Sequence, residues 1–281
     1  MKSILKLALC AGLVAAAALV GPAAPAHASL GLYRVHNISA NDSLSSKSIT
    51  VSCNPGDKLT TVGGAVTGNG DVLLTKAYAD TATGATATAF GIEAISTTAN
   101  WTVEVYGVCA PAGTLSGLTI VQATLGPDPN YKTPVATCPT GKYTVGGGYF
   151  LDSANGQVAI DELRFTSALN QVSATAYNYG TPGNYSFSVQ AMCAYSPGSM
   201  AYTSFPSANN SVTPKTEDTS MCGGTTPELS GAGGAITYAL GGVSLATVNP
   251  KLNVGTAEVT AREIGPFGSS WEVEVMGICI S

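Results

Sequence analysis

The chain of 281 residues sets 12 Lys and Arg against 17 Asp and Glu, a formal charge of −5, and only 10% of its residues are charged. An acidic, weakly charged surface argues against nucleic acid and anionic membranes as partners. Its 33 glycines and 15 prolines, with no run of 3.6-residue apolar periodicity, mark an all-β chain with many turns.

The opening stretch MKSILKLALCAGLVAAAALVGPAAPAHA places Lys2 and Lys6 before an apolar run from Leu7 to Val20, then Pro22, Pro25 and an A-x-A end at residues 26–28. That order is a secretory signal peptide, with cleavage expected after Ala28. Acylation at Cys10 is disfavoured, because Leu9 is bulky where a lipoprotein signal wants a small residue. Removing the leader leaves 253 residues (281 − 28) and a charge of −7 (−5 − 2, for the two lysines). No other stretch approaches about 18 uninterrupted apolar residues, so a secreted protein without a membrane span is expected.

Six cysteines remain, Cys53, Cys109, Cys138, Cys193, Cys222 and Cys279, at successive gaps of 56, 29, 55, 29 and 57 residues. The alternation defines three copies of one unit, spanning residues 30–113, 114–198 and 199–281. In chain order, each unit opens on a strand, YRVHNIS, LTIVQAT or YTSF. After the first cysteine come turn residues and a glycine-bearing strand with Gly63-Gly64, Gly146-Gly147-Gly148 or Gly233-Gly234. Turns at Asn69-Gly70, Asn155-Gly156 and Gly241-Gly242, flanked by apolar runs, predict a β-hairpin in every copy. An alternating segment follows (ATATAF, VSATAY, AEVTAR), and each unit closes on an aromatic-led strand: NWTVEVYGVC, NYSFSVQAMC, SWEVEVMGIC.

Strand alternation puts Trp101, Val103, Val105 and Cys109 on one face, with Thr102, Glu104 and Tyr106 on the other. The cysteine face is therefore core. Glycines inside an apolar-flanked strand predict a bulge, a bend or a close backbone approach that a Cβ would block. A phosphate-cradling role fails, since neither a Lys-Ser/Thr pair nor a helix follows.

Six cysteines in an exported chain should be oxidised. Threefold repetition leaves two patterns: closure within each unit (Cys53–Cys109, Cys138–Cys193, Cys222–Cys279), or stapling of each unit to the next. The first is expected, because it clasps the glycine-bearing and terminal strands of one unit. Zinc is disfavoured, as no C-x-x-C pair occurs.

Chemistry-bearing residues are few. After the leader is removed only His36 remains of two histidines, and sequence alignment of the units sets it against Val121 and Phe205, a bland position. No G-x-S-x-G elbow accompanies it. Glu272 with Glu274, and Asp161 with Glu162 on opposite strand faces, are the carboxylate pairs a hydrolase would need. Calcium-loop and cofactor motifs are absent, so no metal, cofactor or catalytic residue is assigned. Tyr106, Tyr177 and Tyr195 are the candidate ligand-contacting aromatics.

The segments CPTGKYTVGGGYF and NYSFSVQAMC together resemble a Cys-Pro-x-Gly, Gly-Gly-Gly, aromatic, Cys repeat of exported bacterial proteins of the actinomycete type. The third unit departs from it, with GGTTPELSGAGG after Cys222 and no Pro-x-Gly turn. The resemblance implies secretion and a disulfide-closed β unit, and transfers no catalytic residue. The expectation is three pseudo-equivalent β units, arranged as a β-prism or as small sandwiches in a row, the 29-residue gaps favouring the compact form. The expected role is non-enzymatic binding or surface association, with a glycan or exported protein as partner. A structural envelope or spore-coat component is the alternative, ahead of a carboxylate-dependent hydrolase.

Overall fold

The computed structural model describes residues 29–68 and 71–281; the leader with Cys10 and the Asn69-Gly70 turn lie outside them. Among the described residues, unit 1 supplies β1 (Tyr33–Ile38), β2 (Ser46–Ser52), β3 (Lys58–Val66), β4 (Val72–Ala79), β5 (Thr86–Glu93) and β6 (Val103–Ala110). Unit 2 supplies β7 (Thr119–Asp128), β8 (Val135–Thr137), β9 (Lys142–Asp152), β10 (Val158–Phe165), β11 (Gln171–Asn178) and β12 (Tyr185–Tyr195). Unit 3 supplies β13 (Met200–Pro206), β14 (Lys215–Asp218), β15 (Glu228–Thr237), β16 (Val243–Lys251), β17 (Thr256–Glu263) and β18 (Glu272–Ile280).

These strands make three six-stranded sheets, each shared by two units: β1-β6-β3-β16-β17-β14, β13-β18-β15-β10-β11-β8 and β2-β5-β4-β9-β12-β7. Every unit sends its first, sixth and third strands to one sheet and its second, fifth and fourth to another. The third, glycine-bearing strand then pairs with a neighbour's fourth strand: β3 with β16, β9 with β4, β15 with β10. Unit 1 is thus joined to units 2 and 3, and these to each other. The ring is closed, so the compact arrangement is realised and the row of sandwiches is not.

The predicted hairpin at the Asn-Gly turns is corrected by this topology. β3 pairs with β6 and β16, whereas β4 pairs with β5 and β9, so these two strands belong to different sheets, as do β9 and β10, and β15 and β16 make no pair with each other either. The hairpin of each unit is instead β4–β5, β10–β11 or β16–β17.

The glycine run has a backbone explanation. A Cβ on Gly63, Gly148 or Gly233, at the same place in each unit, would lie under 3 Å from the carbonyl oxygen of Val248, Ala77 or Leu163 of the neighbour. Gly146 and Gly231 meet the carbonyls of Thr60 and Val145 just as closely. Three glycine-bearing strands therefore converge where the units meet, at a spacing that side chains forbid.

Each unit has its own clasp. The disulfides are Cys53–Cys109, Cys138–Cys193 and Cys222–Cys279, closure within each unit, with Cα separations of 5.8, 5.6 and 5.6 Å. Trp101, Val103, Val105 and Cys109 are buried together, as are Trp271, Val273, Val275 and Cys279. A second clasp escaped the sequence reading. Lys47, Lys132 and Lys215 are buried, with their ammonium groups 4.4, 4.5 and 4.3 Å from the ring centres of Trp101, Tyr185 and Trp271. Lys47 also donates to the carbonyls of Ala40, Asp42 and Trp101, and Lys215 to those of Ala208, Asn210 and Trp271. A cation desolvated by burial needs such partners and a ring face.

Candidate functional site

The outward faces of the three sheets are where the units differ. At each junction only two residue pairs hold the neighbouring strands together, for example Lys76 with Phe150 and Ala77 with Tyr149, after which the strands part. The residue three before the last cysteine of each unit fills that parting: Tyr106, Gln190 and Met276, all buried although they face away from their own unit's core.

At the junction of units 1 and 2 the filling is structural. Gln190 Nε2 donates to the Ala79 carbonyl and its Oε1 accepts from the Ala79 N–H, at 3.0 and 2.9 Å, so it satisfies a strand edge that lost its partner. Between units 2 and 3, the apolar Met276 occupies the position. Beside it Arg164 spans two carboxylates, with Nη1 2.9 Å from Glu274 and Nε 3.4 Å from Glu162.

The junction of units 1 and 3 is different. Tyr106 is opposite His36 in the β1–β6 ladder, and Arg34 lies two residues before His36, so strict alternation brings all three to one face with Glu104. The Glu104 carboxylate accepts from the Tyr106 hydroxyl at 2.7 Å and lies 2.9 Å from His36 Nε2. Desolvation and the hydrogen bond to Glu104 push the Tyr106 phenol up, well above its ordinary value. The Arg34 guanidinium lies 4.4 Å from the Tyr106 ring centre, and the His36 ring stacks on it at 5.1 Å. Arg34 reaches across the junction to donate to Asn249 Oδ1 at 3.0 Å. Asn249 in turn donates to Glu258, which with Asp218 holds Lys251. Leu32, Arg34, His36, Leu252 and Asn253 line an open depression of about 530 Å³ alongside. The Arg34 Nε is buried without a hydrogen-bond partner.

The ladders correct the alignment of His36. Its counterparts are Gln122, opposite Gln190, and Ser204, opposite Met276, rather than Val121 and Phe205. All three are polar residues on the junction face. A one-residue slip in a strand exchanges its faces, which is why alignment with Val121 and Phe205 makes the His36 position look apolar.

The three candidate tyrosines are not brought together. Tyr106 is buried under Arg34 and His36 and offers no free ring face. Tyr177 stacks on the exposed Tyr131 at 5.4 Å. Tyr195 is exposed at the far end of β12, with the Lys142 ammonium 5.3 Å from its ring centre. Of the carboxylate pairs, Asp161 and Glu162 interact, the Glu162 charge adding to burial in pushing the Asp161 carboxyl up, whereas Glu272 and Glu274 are engaged separately. Glu274 is held by Arg164, while Glu272 lies within electrostatic reach of Lys215. Asp161 lies in a β-bulge between Ile160 and Glu162, where simple face alternation no longer applies. Among the described residues, no cluster of three or more His, Cys, Asp or Glu side chains is placed to hold a metal ion, and no helix is long and apolar enough to cross a membrane.

Fold and junctions together define an all-β, disulfide-closed protein of three pseudo-equivalent units. In comparison with known proteins, the chain matches no family model, and no curated protein matches it.

Proposed function

We propose that this is a secreted, non-enzymatic binding protein that takes a glycan in the groove between units 1 and 3. One observation carries the reading: at this junction a continuous chain of polar side chains crosses from unit 1 to unit 3 beside an open depression, whereas between units 2 and 3 the Arg164, Glu162 and Glu274 cluster flanks an apolar Met276. Gln190 closes a strand edge and Met276 fills space, whereas Arg34, His36, Glu104, Asn249, Lys251 and Glu258 alternate donors and acceptors beside an open depression. Such a mixture suits the paired donor and acceptor character of sugar hydroxyls.

The local geometry favours holding over reacting. Glu104 is engaged by both Tyr106 and His36, so its carboxylate is already committed within the groove wall. The Tyr106 phenol is made less acidic by its surroundings and is a poor nucleophile. The three disulfides and a leader-like N-terminus support an oxidising, extracellular location.

A glycan array followed by titration calorimetry tests the proposal, comparing wild type with an Arg34→Ala, His36→Ala variant. Binding by the wild type, reduced by tenfold or more in the variant, is the expected outcome for losing two hydrogen-bonding side chains. Wild-type protein that binds no glycan, or a variant that binds as well, overturns it.

A further inference from the structure

Two of the three junctions are spanned by the chain itself. Unit 1 runs into unit 2 through residues 111–118, and unit 2 into unit 3 through residues 196–199. Between units 3 and 1 the ring closes with no linker. The contacts there include the two residue pairs of β3 with β16, the Arg34–Asn249 hydrogen bond, and the Thr60 hydroxyl, which donates to the Ser230 carbonyl at 2.8 Å.

A further contact crosses this junction at the first described residues. The Glu228 carboxylate, at the start of β15 in unit 3, is wrapped by the segment that leads into β1 of unit 1. The N–H groups of Leu30 and Gly31 donate to its Oε1, the latter at 3.3 Å, and the Leu32 N–H donates to its Oε2 at 2.8 Å. The Ser29 hydroxyl donates to Oε1 at 2.7 Å. Three successive N–H groups converge on one anion because Gly31 turns the backbone at φ +69°, the arrangement of an anion-binding nest. Leu32 is buried beside it and fixes the segment to the core. Among the described residues, no Lys or Arg side chain pairs with Glu228. Its partners are all neutral donors, which leaves the charge itself uncompensated.

The sister units differ at this place. The position opposite the residue after the last cysteine holds Lys58 in unit 1, Tyr143 in unit 2 and Glu228 in unit 3. Lys58 borders the segment Leu115–Leu118 that enters unit 2, whose Gly117 repeats the left-handed φ of Gly31 at +68°. That segment is tethered to the unit before it. The segment entering unit 1 follows the leader instead, and the residue facing it is the one with a negative charge.

We infer that Glu228 is the receptor for the N-terminus that leader cleavage creates, and that the Ser29 ammonium completes a clasp across the junction of units 3 and 1. Cleavage after Ala28, the step on which this rests, converts the Ser29 nitrogen from a neutral amide to a cation. Covalent geometry keeps that nitrogen within about 6 Å of the carboxylate that Ser29 Oγ already touches. At that range the opposite charges favour each other. Processing therefore strengthens the one junction that no linker spans.

Mass spectrometry of the exported protein and denaturant unfolding test the clasp. The exported chain begins at Ser29. Protein beginning at Ser29 is compared with a form carrying a Gly-Ser extension ahead of it, which moves the ammonium away, each with Glu228 or with Glu228→Gln. The extension raises the unfolding constant about fivefold when Glu228 is present, as for a partly exposed ion pair, and leaves it unchanged in Glu228→Gln. The Ser29 amine also titrates at a higher pH in wild type than in Glu228→Gln, a shift that lost packing alone does not produce. An exported chain that begins elsewhere overturns the cleavage step and the clasp with it. A chain that begins at Ser29 but tolerates the extension, or loses as much with Glu228→Gln as without, leaves secretion standing and overturns the clasp alone.

Discussion

Asp161 occupies in unit 2 the β-bulge position that Ala246 occupies in unit 3 and Thr75 in unit 1. It is 6% exposed, and its Oδ1 has no hydrogen-bond partner. Desolvation, reinforced by the nearby Glu162 and only partly offset by Arg164, pushes its carboxyl up to about 8. The folded protein therefore holds this proton where the unfolded chain, near 3.8, has released it. Stability associated with the group is fully present below about pH 4 and is lost as pH rises towards 8. Replacement by Ala or Thr, the residues its sister units use, removes that slope. Urea unfolding at pH 5, 7 and 9 should show Asp161→Ala more stable than wild type by on the order of 3 kcal/mol at pH 9, with a smaller difference at pH 5. Parallel pH profiles for the two proteins would contradict the assignment.

Lys47 should be among the least replaceable surface-loop neighbours in the molecule. Its ammonium gathers three backbone carbonyls and covers the Trp101 ring, and Asp42 Oδ1 lies 2.8 Å away. Lys47→Met keeps the stem and deletes the charge, removing one bond from each of those carbonyls, of which Asp42 keeps the Trp101 N–H and Ala40 the Ser39 hydroxyl. A loss of about 2–4 kcal/mol is expected in denaturant unfolding. Lys47 also holds the Asp42 carboxyl below its ordinary value. That contribution is present above about pH 4 and fades as acid protonates Asp42, and the Met variant should lack this feature.

The disulfides should act unit by unit. Cys138→Ser with Cys193→Ser opens a loop of 55 residues, whose closure restricts the unfolded chain by about 4 kcal/mol in the entropic account. Because β9 and β10 of unit 2 are paired with the two other units, the loss should appear as one cooperative transition at lower denaturant. A separate early transition for unit 2 would show that the junctions couple the units weakly.

What the sequence disclosed was set by local periodicity. Cysteine spacing disclosed the units, and alternation along NWTVEVYGVC placed Trp101 and Cys109 inside. The closed ring was less legible, because a junction of two residue pairs such as Glu162–Ala235 and Leu163–Gly234 leaves no long complementary pattern. The step from β3 to β4 reads as a hairpin because an Asn-Gly turn does not say whether the next strand pairs with its predecessor or crosses to another sheet. A one-residue misalignment makes the His36 position look apolar, and only the ladder with Tyr106 resolves it. The lysine clasp could have been found: Lys47 and Lys132 stand six residues before the first cysteine of their units, and Lys215 seven. Each is an isolated cation in a weakly charged chain, a spacing as regular as that of the glycines.

Glycine at the junctions is where the ring is most open to a decisive substitution. Gly148 lies against the Ala77 carbonyl and the Tyr78 backbone of unit 1, and backbone atoms cannot swing aside as a side-chain tip can. Gly148→Ala must therefore push β9 away from β4 and strip the two-pair junction of its geometry, at a cost of about 2–4 kcal/mol, within the range of severe overpacking. Gly183, with nothing within 4 Å of the place its Cβ would occupy, is the matched control, and Gly183→Ala should change stability by less than about 0.5 kcal/mol. Hydrogen exchange makes the difference local: amides of β4 and β9 should lose protection in Gly148→Ala, while those of β15 and β10, at another junction, retain more of theirs. Equal loss at all three junctions would mean that the ring opens only as a whole, and that no single glycine contact governs one interface by itself.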